Sequence, residues 1–174
     1  IQDEDQLIAA LSQYKIDTST WGKPVSNLYK EIKEGECALD LEKDGLNRRV
    51  SVVTVKCFHT NAAGERFQLI EREQVFKDGR VRNRNLQHLA EKAFPNESIG
   101  ATALRALKEE LGITGLMVRL GDNKVEVNES SSYKGVKSTY ELNSFSCEIP
   151  LEKYKEEYVE KQKDKDTYFS WMKI

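Results

Sequence analysis

Ile99, Ala103, Leu107 and Leu111 recur at every fourth position between the Pro95-Asn96 break and Gly112. That spacing draws one apolar stripe along a helix, and it constrains the fold more than any other stretch of the chain. An Asn or Ser just ahead of the stripe suits the N-terminal cap. Gly112 suits the left-handed position that closes a helix. The pattern predicts one helix over residues 98–111, packed on a mixed sheet through Ile99, Ala103 and Leu107. Glu109 and Glu110 fall on its last turn, where the helix end is itself partly negative. Two acids there carry an electrostatic penalty unless a divalent metal or a Lys or Arg from elsewhere lies close.

The rest of the chain is read around this helix. Residues 4–14 suit a short helix with Leu7, Ile8 and Leu11 on one face, and Thr18-Ser19-Thr20-Trp21-Gly22-Lys23-Pro24 is a turn-rich break. Trp21 either anchors this linker on a core or stays half exposed for a partner. Pro24 suits the first position of a second helix, with Val25, Leu28, Tyr29 and Ile32 on one side and Gly35 at its end. Strands are expected over residues 37–41 and 48–58, the second apolar on both faces as a central strand is. A hairpin through Asn61-Ala62-Ala63-Gly64 returns the chain over residues 67–76. Residues 86–94 are read as a loop leading into the central helix. Beyond it, residues 116–120, 124–127, 136–149 and 167–172 alternate like strands around a polar loop at 128–135. Residues 151–165 are heavily charged and read as a helix with Tyr154 and Tyr158 inward.

Strands, a helix, more strands and helical pieces at the N-terminus predict an α/β fold, a mixed sheet sandwiched between helices. The domain reading is an N-terminal helical extension with a short strand at residues 1–46, and one α/β domain at 47–174.

The net charge of −2 gives no global pull toward nucleic acid or a membrane, so such binding would need a local patch. No apolar run approaches a membrane span. Cys37, Cys57 and Cys147 are odd in number and without paired spacing, which argues against a zinc site. Cys57 and Cys147 lie in strand-like stretches and read as small buried hydrophobes. Free thiols favour a reducing, intracellular compartment. The chain starts at Ile1 rather than Met, which reads as a trimmed or processed product, so the compartment is left open.

The central stretch resembles the Nudix box: Gly, five residues, Glu, seven residues, Arg-Glu, an aliphatic, any residue, Glu-Glu, any residue, Gly, an aliphatic. Glu97, Arg105, Leu107, Glu109, Glu110, Gly112 and Ile113 match it in type and spacing. Two positions depart: Glu91 stands for the opening Gly, and Ala106 for the Glu that follows Arg. The resemblance extends over residues 48–174, with motif-level detail only in the box. It implies a Nudix-type α/β/α sandwich and a Mg²⁺ or Mn²⁺ site held by Glu97, Glu109 and Glu110. It also implies that Arg105 orients those carboxylates, and that the ligand is a nucleoside diphosphate derivative or another pyrophosphate. An ordinary ion pair from Arg105 to Glu109 is an equal reading. Ala106 removes the third acid, and Ala106→Glu is expected to strengthen cation binding.

Glu126, Glu129 and Glu141 are candidates for a base supplied from outside the box. Arg80, Arg82 and Arg84 project to one side if extended and suit phosphate; His88 and Lys92 can lengthen the patch. A solvated edge strand kept from aggregation by charge is the plainer reading. No aromatics interleave the row, which argues against nucleic acid. The leading function is a Nudix-fold module with a degenerate box that binds a diphosphate ligand or a protein partner with weak or no hydrolysis. The rivals are a Mg²⁺-dependent pyrophosphohydrolase and a pure protein-interaction module.

Overall fold

Asp3 starts the first helix by accepting a hydrogen bond from the Gln6 amide at 2.8 Å, and α1 then runs Glu4–Gln13. The computed structural model describes residues 1–174 and falls into two compact units. The first comprises Ile1–Val52, Lys92–Glu97 and Asn123–Leu142; the second comprises Val53–Glu91, Ser98–Asp122 and Asn143–Ile174. The unit that holds the N-terminal helices therefore also takes in strand segments from beyond residue 46.

The elements after α1 are α2 (Val25–Lys33), β1 (Ala38–Glu42), β2 (Gly45–Thr60), β3 (Arg66–Phe76), β4 (Val81–Arg82), β5 (Leu89–Lys92) and α3 (Ile99–Ala106). Then come β6 (Arg119–Glu129), β7 (Lys137–Glu148), β8 (Glu157–Lys161) and β9 (Lys165–Lys173). The strands form one nine-stranded sheet in the order β6-β7-β2-β3-β9-β8, with β1 and β5 pairing to β2 and β4 to β3. This is the α/β class expected.

In the first unit Leu7, Leu11 and Leu28 pack with Cys37, Leu46, Val50, Tyr133 and Val136. Ile8, placed on the same face by the sequence, is instead 48% exposed. Gly35 closes α2 at φ +78°, and a Cβ there would stand 2.6 Å from Pro95 Cδ, so no larger residue fits. The polar loop before β7 hides the largest buried side chain of this unit, Tyr133. Its hydroxyl accepts from Asn27 Nδ2 at 2.8 Å, and Trp21 packs edge-on against its ring at 5.0 Å. Trp21 Nε1–H donates to the Lys134 carbonyl at 2.8 Å. The tryptophan is thus the anchor of its linker. Trp21→Phe removes that bond and part of the ring contact, so a destabilisation of about 1–2 kcal/mol is expected in a denaturant titration. Arg48 and Glu31 form a buried ion pair at 3.2 Å.

In the second unit Val53, Val55 and Cys57 of β2 meet Ala103, Ala106, Leu107 and Leu111, with Phe145, Tyr158 and Phe169 completing the core. Cys57 and Cys147 touch, sulfur to sulfur, at 3.6 Å. All three cysteines are buried and free. The contact with Cys147 and burial push the Cys57 thiol well up.

The predicted helix at 151–165 does not form. A short 3₁₀ turn at Leu151–Lys153 leads instead into β8, which pairs antiparallel with β9. Tyr158 decides this: it is buried, with Val159 exposed beside it, and its hydroxyl donates to the Lys153 carbonyl at 2.8 Å. The Lys- and Glu-rich composition suits a helix, but burying one tyrosine on a strand pair outweighs that preference. Residues 89–92, read within a loop, form β5, and the two strands expected at 116–127 form the single strand β6.

Candidate functional site: a carboxylate cluster on the box helix

Ser98 caps α3: its hydroxyl accepts from the Ala101 amide at 3.1 Å, while Thr102 Oγ1 donates to the Ser98 carbonyl at 3.0 Å. The helix does not stay α-helical to its end. Leu107–Leu111 form a π-turn closed by Gly112 at φ 71°. One extra residue per turn displaces the side chains that follow, and such turns recur at functional sites. Ala106, which stands where the box carries a Glu, is fully buried among Ala103 and Leu107. Glu109 is half exposed, and Glu110 points inward.

Glu91, the residue that departs from the box at its opening glycine, reaches this turn from β5. Arg105 sits between two acids: its Nη1 is 3.4 Å from Glu91 Oε2 and 3.3 Å from Glu109 Oε2. Glu110 shares a hydrogen bond with Glu91. Burial, then repulsion from Glu91 and Glu160, pushes the Glu110 carboxyl up to about 10. It is therefore protonated at neutral pH and donates to the Glu91 carboxylate. Its other oxygen, Oε2, is buried and makes no hydrogen bond. Burial also raises Glu91, reinforced by the charge of Glu109. Glu160, on β8, is raised to about 7 by burial and then by Glu91 and Glu109, with Lys165 opposing.

Glu71 completes the group and is held by Arg84 through two bonds of 2.6 and 2.7 Å. The buried Glu71 needs this partner, and the short two-bond geometry is what a guanidinium offers a carboxylate. Five acids thus act on one another, with Arg84, Arg105 and Lys165 as the cations among them.

Of the residues read from the sequence, Arg105, Glu109 and Glu110 come together here, and Arg84 joins them through Glu71. Glu97 lies in the turn ahead of α3, where its carboxylate accepts from the Phe94 amide at 3.2 Å. Arg80 pairs with Asp78 at 2.7 Å, and Arg82 donates to Gln74 Oε1 at 2.9 Å. Both guanidiniums lie over the Phe76 ring, at 4.7 and 5.6 Å. Glu126 pairs with Lys124, and Glu129 accepts from the Gly135 amide. The acids missed in the sequence are Glu71, Glu91 and Glu160. Glu91 was visible as a departure from the box; Glu71 and Glu160 are single strand residues with no spacing signal.

The donor set is all carboxylate oxygen, the chemistry of a hard divalent cation. An orphaned buried oxygen on Glu110 fits such an ion, although no three acidic, His or Cys side chains already stand as a cage. No helix is long and apolar enough to cross a membrane.

No family model and no curated protein matches the sequence. Solved structures similar to it include the C. elegans Ap4A hydrolase, at 14% identity and TM-score 0.39 over 71% of this chain and 80% of that one. Another is the NUDIX domain of Shewanella oneidensis NrtR, solved with ADP ribose, at 12% identity and TM-score 0.46 over 72% and 73%. A third is a MutT/nudix family protein from Enterococcus faecalis, at 14% identity and TM-score 0.45 over 97% and 56%. Two of these three structures carry in their names the Nudix family whose box the sequence resembles, and at these identities and TM-scores the likeness says nothing of what this chain does.

Proposed function

We propose that this chain is a Nudix-type module that binds a diphosphate ligand, such as a nucleoside diphosphate derivative, together with Mg²⁺ or Mn²⁺, and hydrolyses it weakly or not at all. One observation carries the reading: Oε2 of Glu110 is buried without a hydrogen bond, inside a group of acids that act on one another. Such a group is short of positive charge. Glu91, Glu109 and Glu110 would hold the cation, which supplies charge neutralisation for phosphate oxygens and acidifies a bound water. Arg105 fixes Glu91 and Glu109 against each other, and Arg84 fixes Glu71. Glu110 would have to give up its proton to serve as a ligand. Arg80 and Arg82, on the β3–β4 hairpin, are the proposed phosphate contacts. Weak turnover follows from Ala106, which brings no acid to the turn.

Calorimetric titration of Mn²⁺ in two buffers of different protonation enthalpy tests this. About one proton should leave per ion bound near neutral pH, because Glu110 must ionise to ligate. Glu110→Gln should abolish the release and most of the affinity, and ADP should bind only with the ion present. Binding without proton release, or ADP binding indifferent to Mn²⁺, would sink the proposal.

Glu160 favours one other reading. A carboxyl near 7 beside the cluster is poised as a general base. If a panel of nucleotide sugars, dinucleotides and nucleoside diphosphates turns over with Mg²⁺, and Glu160→Gln lowers the rate about a hundredfold, the protein is a hydrolase.

A further inference from the structure

Strand β6 ends the sheet on one side, and of its residues only Glu126 is even partly shielded from solvent. Val125 and Val127 are 57% and 54% exposed. An edge strand presents a row of unpaired backbone N–H and C=O groups, and edges are normally blunted by charged side chains, a proline, a bulge, shortness or a cover. Residues 123–127, Asn-Lys-Val-Glu-Val, contain no proline or glycine. Alternate residues share a face, so Lys124 and Glu126 lie on one side and Asn123, Val125 and Val127 on the other. Lys124 Nζ meets Glu126 Oε1 at 2.9 Å, and both side chains are substantially exposed.

We propose that residues 123–127 of β6 pair antiparallel with the same segment of a second copy of this chain. The charges select the register. Two identical strands related by a two-fold axis can only place residues of like parity opposite each other, because alternate residues turn their backbone groups outward. Centred on Val125, the pairing sets Lys124 opposite the second copy's Glu126, and Glu126 opposite its Lys124. Val125 then meets its own counterpart, and Asn123 meets Val127. A slip of two residues sets Lys124 against Lys124 in one direction and Glu126 against Glu126 in the other. Like charges directly opposite destabilise a sheet pair, so the pattern is self-complementary in one register and repulsive in its nearest neighbours. The face bearing Val125 and Val127 gains a cross-strand apolar contact in the same register. A single strand pair buries less than a standard interface, so the dimer is weak and depends on concentration.

Sedimentation equilibrium of the full chain over a wide concentration range reads this directly, as a rise from the 20.0 kDa monomer mass toward twice that value. Lys124→Glu sets Glu against Glu across the pair, and Glu126→Lys sets Lys against Lys. Each variant alone should dimerise at least about fivefold more weakly. Mixed in equal amounts, the two should associate as well as the native chain, because every cross-strand pair is again of opposite sign. Rescue by mixing also shows that neither variant failed to fold. A chain that stays monomeric throughout overturns the proposal. So does a dimer indifferent to both substitutions, or a mixture no better than its components; each would assign the edge to a different occupant or to solvent.

Discussion

Glu110→Gln should raise the melting temperature at pH 8, in a chelating buffer, by roughly 5–10 °C and leave it nearly unchanged at pH 5. The native carboxyl is raised to about 10, far above the value of 4.5 that it has when unfolded. Between those limits the folded chain holds a proton that the unfolded chain has released. Stability is therefore full below about 4.5 and falls as pH rises toward 10. At 1.36 kcal/mol for each pH unit, the loss by pH 8 is on the order of 3 kcal/mol, allowing for relaxation around a coupled pair. Glutamine has nearly the same shape, carries no charge at any pH, and can still donate to Glu91. Glu160, raised to about 7 and half buried, adds a shallower loss between 4.5 and 7 that the variant keeps. Thermal melts from pH 5 to 9 separate the two contributions. Identical slopes in native protein and variant would mean that Glu110 is not the group sensing pH. Mn²⁺ should restore the native protein at pH 8 and leave the variant where it is.

Ala106→Glu should destabilise by about 3 kcal/mol or more and add no cation affinity. The box pattern alone suggests the opposite, since a Glu there would complete the acidic set. The burial of Ala106 changes the balance. Its side chain is 0% exposed and surrounded by Ala103, Leu107 and the rest of the apolar core. A glutamate must overpack that core, which costs about 1–3 kcal/mol, and must also bury a polar head without a partner. Denaturant unfolding with and without Mn²⁺ checks it. A variant that remains as stable as the native chain and binds the ion more tightly would show that the helix can turn this position outward.

Much of the fold was legible because it rests on periodicity. The stripe from Ile99 to Leu111 located the helix, its cap and its closing glycine, and the hairpin at Asn61 located β2 and β3. What failed was decided by pairing across the chain. Residues 157–161 carry a helix-like composition and become a strand because β9 offers them an edge and Tyr158 a core. At the site, Glu109, Glu110 and Arg105 were readable from spacing within one helix. Glu91 was read as a departure because the box has glycine at that position, and its partner, Glu110, lies nineteen positions further along the sequence. Glu71 and Glu160 come from separate strands, where one acid among many carries no pattern. The π-turn was invisible too, since it leaves the spacing of the letters unchanged and alters only where the side chains point.

The buried cysteines make the chain its own reporter of local opening. A thiol reagent reaches a buried sulfur only when the structure around it opens, and it reacts with the thiolate rather than the thiol. Cys37 lies in the core of one unit, and Cys57 and Cys147 lie in the core of the other. Alkylation followed peptide by peptide therefore times the opening of each unit separately, with no label introduced. A ligand that stiffens only the surroundings of the carboxylate cluster slows the modification of Cys57 and Cys147 and leaves that of Cys37 at its own pace.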